Sequence, residues 1–540
     1  MLKKKIYQWH RTASLIIAVP VLLWALSGFM HPIMTNLRPA VQTQSIAAVP
    51  LDTQKIRLPL QQILQQQHID SIYSVRLVHI DTNWFYQVKT GKTDELYYFS
   101  AKNGNQLIRG DWLYAQYLAR TFLEGPEEKE ESASGQDAVV QEQQHASLTM
   151  DCCGEATASV LNNERGAPFS GASVVRAFNE EYKRIYALLP VYKVTFKRSD
   201  NIRLYVETAQ DRFAVAVDKN RAAFTRFFNL VHTWAWLDFF GKGRIYVELF
   251  FCGLAFLTAL MGLYLFFTTK TKKVKGNTLV KARRKHRITS IIAVLFTLMF
   301  TFSGFYHALS GLEGENKAIQ RDQQAFASAA IDFRLDKLQA AVQRPITNIG
   351  LVRISGQPYW QVFLQSPPTL KAKDLMKDLS ANAVDVTYVR TDNYRILPHG
   401  DAVYARELAG KFSGYPSETI VSSQLVTHFT DEYNFTDKRL PVWKVDYPVN
   451  HRERLYVETS TGVLAKCTND LDLYEGYSFA LFHKHHYMDF AGKTVRDIST
   501  MIGAGLQVLM IAVGLMLYLR WRKRKRVDRK AKQPLTVVED

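Results

Sequence analysis

The chain has 540 residues, 47% of them hydrophobic, and a net charge of +18 at pH 7. Its mean hydropathy of −0.15 excludes a protein mostly embedded in lipid, so any membrane segments are a minority of the length. The charge would suit a nucleic-acid partner only if it were spread over a binding face, and its placement argues otherwise.

Residues 1–12 hold four Lys/Arg and lead into the first uncharged apolar run, 12–30. A signal peptide could begin this way, but the run is longer than a typical h-region and recurs later, so it reads as a retained span. Three further runs of spanning length follow at 249–269, 288–312 and 498–519. Basic residues gather beside them, nine in 268–288 and nine in 520–532. The three clusters carry more than the whole charge excess and abut membrane ends, the pattern of cytoplasmic segments. Both termini and the middle loop are therefore expected in the cytoplasm, the long stretches outside, and no nucleic acid as a partner.

The expected organisation is a cytoplasmic tip and first span over 1–31, an external region over 32–244 and a second span over 245–269. A basic loop over 270–287, a third span over 288–312, an external region over 313–496, a fourth span over 497–519 and a basic tail over 520–540 complete it. Within the first external region, residues 124–163 are acidic and poor in large apolar side chains, which predicts a solvated loop. Helices are predicted near 58–67, 172–186, 333–342 and 418–433, and strands near 202–208, 212–217, 359–364 and 454–459, giving α+β external regions. Four cysteines are too few for a disulfide framework, and Cys152-Cys153 lack the spacing of a zinc site.

Self-comparison shows a tandem repeat. His10-Arg11 and Ser27-Gly28-Phe29-Met30-His31 match His286-Arg287 and Ser303-Gly304-Phe305-Tyr306-His307 at an offset of 276. Leu189-Pro190-Val191-Tyr192-Lys193-Val194 matches Leu440-Pro441-Val442-Trp443-Lys444-Val445, and Arg203-Leu204-Tyr205-Val206-Glu207-Thr208 recurs unchanged from Arg454 to Thr459, both at 251. His232, Asp238, Gly241 and Lys242 fall on His483, Asp489, Gly492 and Lys493 at the same 251. The first copy is thus longer by 25 residues, and the acidic stretch accommodates them. One stretch departs: His483-Lys484-His485-His486 stands where copy one has His232-Thr233-Trp234-Ala235.

Six histidines occupy matched positions beside membrane runs: His10 and His286, His31 and His307, His232 and His483. A neutral imidazole ligates iron axially, and two from facing helices make a six-coordinate, low-spin haem. The alternative is that they sit at the polar interface beside an aromatic belt of Trp9, Trp234 and Trp236. From His10 to His31 is 21 residues, roughly 31 Å along a helix at 1.5 Å per residue, so haems at both ends would be well separated. Gly503-Ala504-Gly505 lies inside the fourth run and is expected to aid helix packing. No Gly-x-Gly-x-x-Gly follows a strand and no Walker A sequence occurs, so a reductase would need an external electron donor.

Taken in order, these motifs resemble the PepSY-associated transmembrane family of bacteria, over nearly the whole chain apart from the acidic stretch and the tail. The resemblance implies a polytopic α-helical membrane protein of the bacterial inner membrane, with α+β PepSY-type periplasmic domains. It further implies an iron-regulated protein, with haem b held by His31, His232, His307, His483, His10 and His286 and a ferric siderophore or other ferric chelate reduced outside. PepSY modules also occur as protease inhibitors, so a non-enzymatic protein restraining an envelope partner is the alternative, and a transporter the third. The lack of a charge in the middle of any run weighs against transport.

Overall fold

The computed structural model describes residues 2–125, 148–150, 156–158, 166–270, 277–314, 320–365 and 385–530. In chain order the principal elements begin with α1 (Leu2–Asn36), α2 (Leu60–Gln66), β1 (Ser74–Ile80), β2 (Asn83–Lys89), β3 (Tyr97–Ser100) and α3 (Gly110–Glu124). Next come β4 (Phe169–Val175), β5 (Val191–Phe196), β6 (Arg203–Glu207), β7 (Arg212–Val217), α4 (Lys219–Val231), α5 (Gly243–Thr268) and α6 (Thr278–Gly314). The later part holds α7 (Leu335–Val342), β8 (Ile346–Ile354), β9 (Gln357–Leu364), β10 (Asp385–Arg390), β11 (Ile396–Leu397) and α8 (Gly400–Ser413). It closes with β12 (Ser422–Val426), β13 (Val442–Asp446), β14 (Arg454–Glu458), β15 (Val463–Thr468), α9 (Asp470–Ser478) and α10 (Lys493–Lys530).

The chain divides into two units, one of residues 1–37, 223–316 and 471–540, the other of 38–222 and 317–470. The first contains α1, α5, α6 and α10, each long and apolar enough to cross a membrane. α1 packs on α5 and α10, and α6 packs on the same two, so the four form a ring. All four expected spans are present, in helices that run past the apolar stretches. α1 already includes Lys3, Lys4 and Lys5, and α10 continues through the basic tail to Lys530. Long Lys and Arg stems tolerate this because they reach sideways to water while their methylenes stay apolar. Inside the ring, Ile17, Val21 and Ala255 are buried against Trp24, Phe251, Leu254 and Ile511. Gly503 permits a close contact that a side chain would block, since a Cβ there would stand 2.8 Å from Phe296 Cδ1.

The second unit is α+β. Its sheets are β1-β2-β3, β7-β6-β5-β4, β8-β9-β10-β11 and β12-β13-β14-β15, all antiparallel. Helices α3 and α8 lay buried faces on them, Tyr114, Leu118 and Phe122 on one, Tyr404, Leu408 and Ala409 on the other. Tyr114, Leu118 and Phe122 recur about one turn apart, as do Tyr404 and Leu408, which places each set on one helix face, with Ala409 widening the second.

Two expected helices are overturned. Residues 172–186 supply β4 and a 3₁₀ turn at Arg184–Tyr186, and 418–433 supply a 3₁₀ turn at Ser417–Thr419 and β12. The apolar spacing that suggested helix is that of segments whose Ser, Val and Gly residues fit a pleated surface. Their backbone groups are taken up by β5 and β13, with Ala172 opposite Val194 and Leu425 opposite Trp443. Inside the acidic stretch expected to be a loop, Leu148–Met150 pairs with Ala156–Ala158. Cys152, Cys153 and most of that stretch lie outside the described residues.

The repeated motifs take matching places. Arg203 and Lys193 form ion pairs with Glu181, and Tyr205 donates its hydroxyl to the same carboxylate. Arg454 and Lys444 do the same with Glu432, 251 residues later. Glu207 and Glu458, from the two copies of Arg-Leu-Tyr-Val-Glu-Thr, meet between Arg212 and Arg439. Glu458 is fully buried; against the burial that would raise it, the two guanidinium groups hold its carboxyl well below the usual range. The recurring six-residue motif is therefore structural, a source of buried ion pairs.

Candidate functional site

In the helical unit, α4 and a π-helical turn at Phe479–His483 deliver His232 and His483 to one end of the ring. Their ring centroids are 6.1 Å apart at an interplanar angle of 83°. His483 also lies within electrostatic reach of His31 and His307. All four histidines expected at this end thus converge.

The polar surroundings set the tautomers. Ser27 Oγ lies 2.9 Å from His232 Nδ1 and donates to the carbonyls of Leu23 and Trp24 on its own helix. Ser303 Oγ lies 3.1 Å from His483 Nδ1 and donates to the carbonyl of Phe300. A hydroxyl has one proton, so with that proton on a carbonyl each serine accepts from the imidazole Nδ1–H. The second ring nitrogen, Nε2, then keeps its lone pair, the form that binds a metal, with the serine as the partner that orients the ring.

Phe228 stacks on His232 at 4.5 Å and Phe479 on His483 at 4.6 Å, one pair per copy. His31 packs against Phe228, while His307 Nδ1 stands 2.7 Å from Glu475 Oε1. In copy one the position of Glu475 is Phe224, so the outer members of the two pairs differ in charge environment.

At the opposite end, each histidine rests against a glycine of a neighbouring helix. A Cβ on Gly262 would come within 3.1 Å of His10, and one on Gly514 within 3.4 Å of His286. His10 Nδ1 lies 3.2 Å from the Thr258 carbonyl, which can only accept, so its Nε2 is also the lone-pair nitrogen.

His485 is the functional candidate that the residue-by-residue reading passed over. It is fully buried, its Nδ1 is 3.0 Å from Ser499 Oγ, and its Nε2 has no hydrogen-bond partner among the described residues. It stacks on Phe300 at 5.3 Å and 9°, just as its counterpart Trp234 stacks on Trp24 at 4.9 Å and 6°. The departure between copies at this position was the available signal.

Two axial imidazoles on one iron would place their centroids roughly 6 Å apart, given metal–nitrogen bonds of about 2 Å on each side. His232 and His483 stand at about that centroid spacing, and with Nδ1 protonated each would offer Nε2 to a metal such as haem iron. No group of three or more His, Cys, Asp or Glu side chains able to hold a metal occurs among the described residues.

The α+β unit contains a cavity of about 1050 Å³, at the upper end of the size of small-molecule sites. Strands β1, β2, β8 and β9 and the segments after β6 and β14 line it, so both copies contribute.

The family described as PepSY-associated TM region matches residues 7–379. Comparison with curated proteins gave no match. With the match covering most of the chain and four helices of spanning length, the protein is a multi-pass membrane protein of the PepSY-associated transmembrane family.

Proposed function

We propose that this protein is a haem-binding oxidoreductase of the bacterial inner membrane that reduces ferric chelates, ferric siderophores among them, at the periplasmic face for iron uptake. The observation that supports the reading is the His232–His483 pair, with ring centroids 6.1 Å apart and each Nδ1 within hydrogen-bond reach of a serine, the residues that would hold the haem iron. Haem b, when bound, supplies reversible one-electron transfer at its iron.

The residues of the chain prepare that chemistry. Ser27 and Ser303 fix the tautomers, and Phe228 and Phe479 cover one face of each imidazole and restrict its rotation. His31 and His307 stand beside the pair as alternative ligands, and His10 with His286 form the candidate pair for a second haem. The ferric ion gains one electron and an external donor loses one. Hard oxygen chelators hold ferrous iron far less well than ferric, so reduction releases the metal.

The test is a single turnover. Detergent-purified protein is reduced with dithionite under nitrogen and mixed with a ferric chelate in the presence of a ferrous trap. The Soret band should return to its oxidised position with one ferrous ion trapped per haem oxidised. A reduced spectrum that persists in the presence of excess chelate would exclude the activity.

A further inference from the structure

The cavity of the α+β unit has an uneven distribution of unmet bonding capacity. Its carboxylates are already engaged. Asp211 accepts from Arg76 and Tyr114, Glu207 from Arg212 and Arg439, and Asp322 from Lys411. Asp111 and Asp401 accept the hydroxyls of Tyr98 and Tyr388, each at 2.8 Å. Asp94 pairs with Arg321, Asp385 with Arg344, and Glu95 accepts from Tyr97.

Among the lining cations, Lys89, Arg109, Arg176 and Lys438 have no ion pair with a described carboxylate, and of these Lys89 already lies in the field of Asp94. Guanidinium and ammonium groups only donate, so the capacity left over in this cavity calls for an acceptor-rich anion. Lys438 also sits in the fields of Arg38 and Arg221, which strengthens the demand. Part of the wall is aromatic. Trp112 lies beneath Arg109 at 4.0 Å, and Tyr117, Trp84 and Trp443 also face the space.

We infer that this cavity binds the ferric complex of an anionic, aromatic oxygen chelator, the catecholate class. Catecholate rings stack on Trp and Tyr, and the threefold negative charge of a tris-catecholate complex meets the three donor side chains. A hydroxamate complex, neutral and aliphatic, offers neither. The inference rests on the reductase reading for its ferric cargo, but binding needs no electron.

Gallium(III) complexes separate the two, because gallium(III) has the charge of ferric iron and is not reduced. Full-length protein in detergent is titrated with gallium tris-catecholate and gallium trihydroxamate while tryptophan fluorescence is followed. The catecholate should bind at least about tenfold tighter, and each of Arg109→Gln, Arg176→Gln and Lys438→Gln should weaken it about tenfold, as loss of a charge-assisted hydrogen bond does. The preference should shrink with added salt.

Equal affinity for the two complexes, no binding of the catecholate, or full catecholate binding by the triple variant overturns the inference. The comparison on unmodified protein decides even if a variant fails to fold. The Soret band, measured in the same samples, reports on the reductase reading separately.

Discussion

His232 and His483 lie 251 residues apart in sequence and 6.1 Å apart in space, each with its Nδ1 on a serine of the preceding membrane helix. Removing either serine hydroxyl leaves the imidazole in place but free to change tautomer. Ser27→Ala and Ser303→Ala should each lower haem affinity about tenfold or more, the usual consequence of losing a partner that orients a metal-binding histidine. Haem loss to apomyoglobin measures it. Ser310→Ala, whose hydroxyl bonds the His307 carbonyl, should leave haem retention unchanged.

Replacement of His31, His232, His307 or His483 by Ala should weaken haem binding or shift its spectrum more than replacement of His68, His79, His399, His428 or His451, or of His145, which lies outside the described residues. The described members of the second set lie in the α+β unit. His10 and His286 should give an intermediate effect, since their end of the ring can hold a second haem. Pyridine haemochrome content per protein decides the order.

Membrane orientation is testable without haem. Reporters fused after Thr271 or at the C-terminus should report cytoplasmic, and those near Gly135 and Gly400 periplasmic, as the basic clusters dictate. A cytoplasmic signal at Gly135 would reverse the arrangement.

The matched histidines were legible in the sequence because a repeat fixes register twice over. The offset of 251 that carries His232 onto His483 also carries Glu207 onto Glu458 and Lys193 onto Lys444. What could not be read was the serine link, because Ser27 and His232 belong to stretches 205 residues apart that meet only when the helices pack. Helix α3 was legible in principle, since Tyr114, Leu118 and Phe122 recur every four residues. Strands β4 and β12 were not, because their partners β5 and β13 begin more than a dozen residues later and decide the conformation by pairing.

The buried ion network predicts a stability effect. Arg439→Met leaves Glu207 and Glu458 with Arg212 as their one guanidinium partner, and breaking a buried pair by removing one partner costs about 3–5 kcal/mol. Thermal unfolding of full-length protein in detergent should show a large downward shift, whereas Arg334→Ala, at an exposed pair with Asp336, should show none. Because the folded pKa of Glu458 is depressed, its contribution is present above the ordinary glutamate range and disappears as pH falls toward the folded value.

Lys438 gives the cavity a pH signature. Burial, then the fields of Arg38 and Arg221, bring its ammonium down from 10.5 to about 8. It is charged below that value and neutral above it, so anion affinity should fall as pH rises through about 8. Lys438→Arg, which stays protonated, should remove the dependence. On stability the sign is opposite: the unfolded chain binds the extra proton between about 8 and 10.5, so this residue makes the fold more stable as pH rises across that window.

The most direct test of the central claim is an absorption spectrum of the full-length protein, purified from cells supplied with haem, together with its haem-to-protein ratio. The account predicts a Soret band and, on reduction, the sharp paired bands of low-spin bis-imidazole haem, lost or shifted in His483→Ala. Protein that folds, keeps its α+β unit intact and carries no Soret band would contradict it.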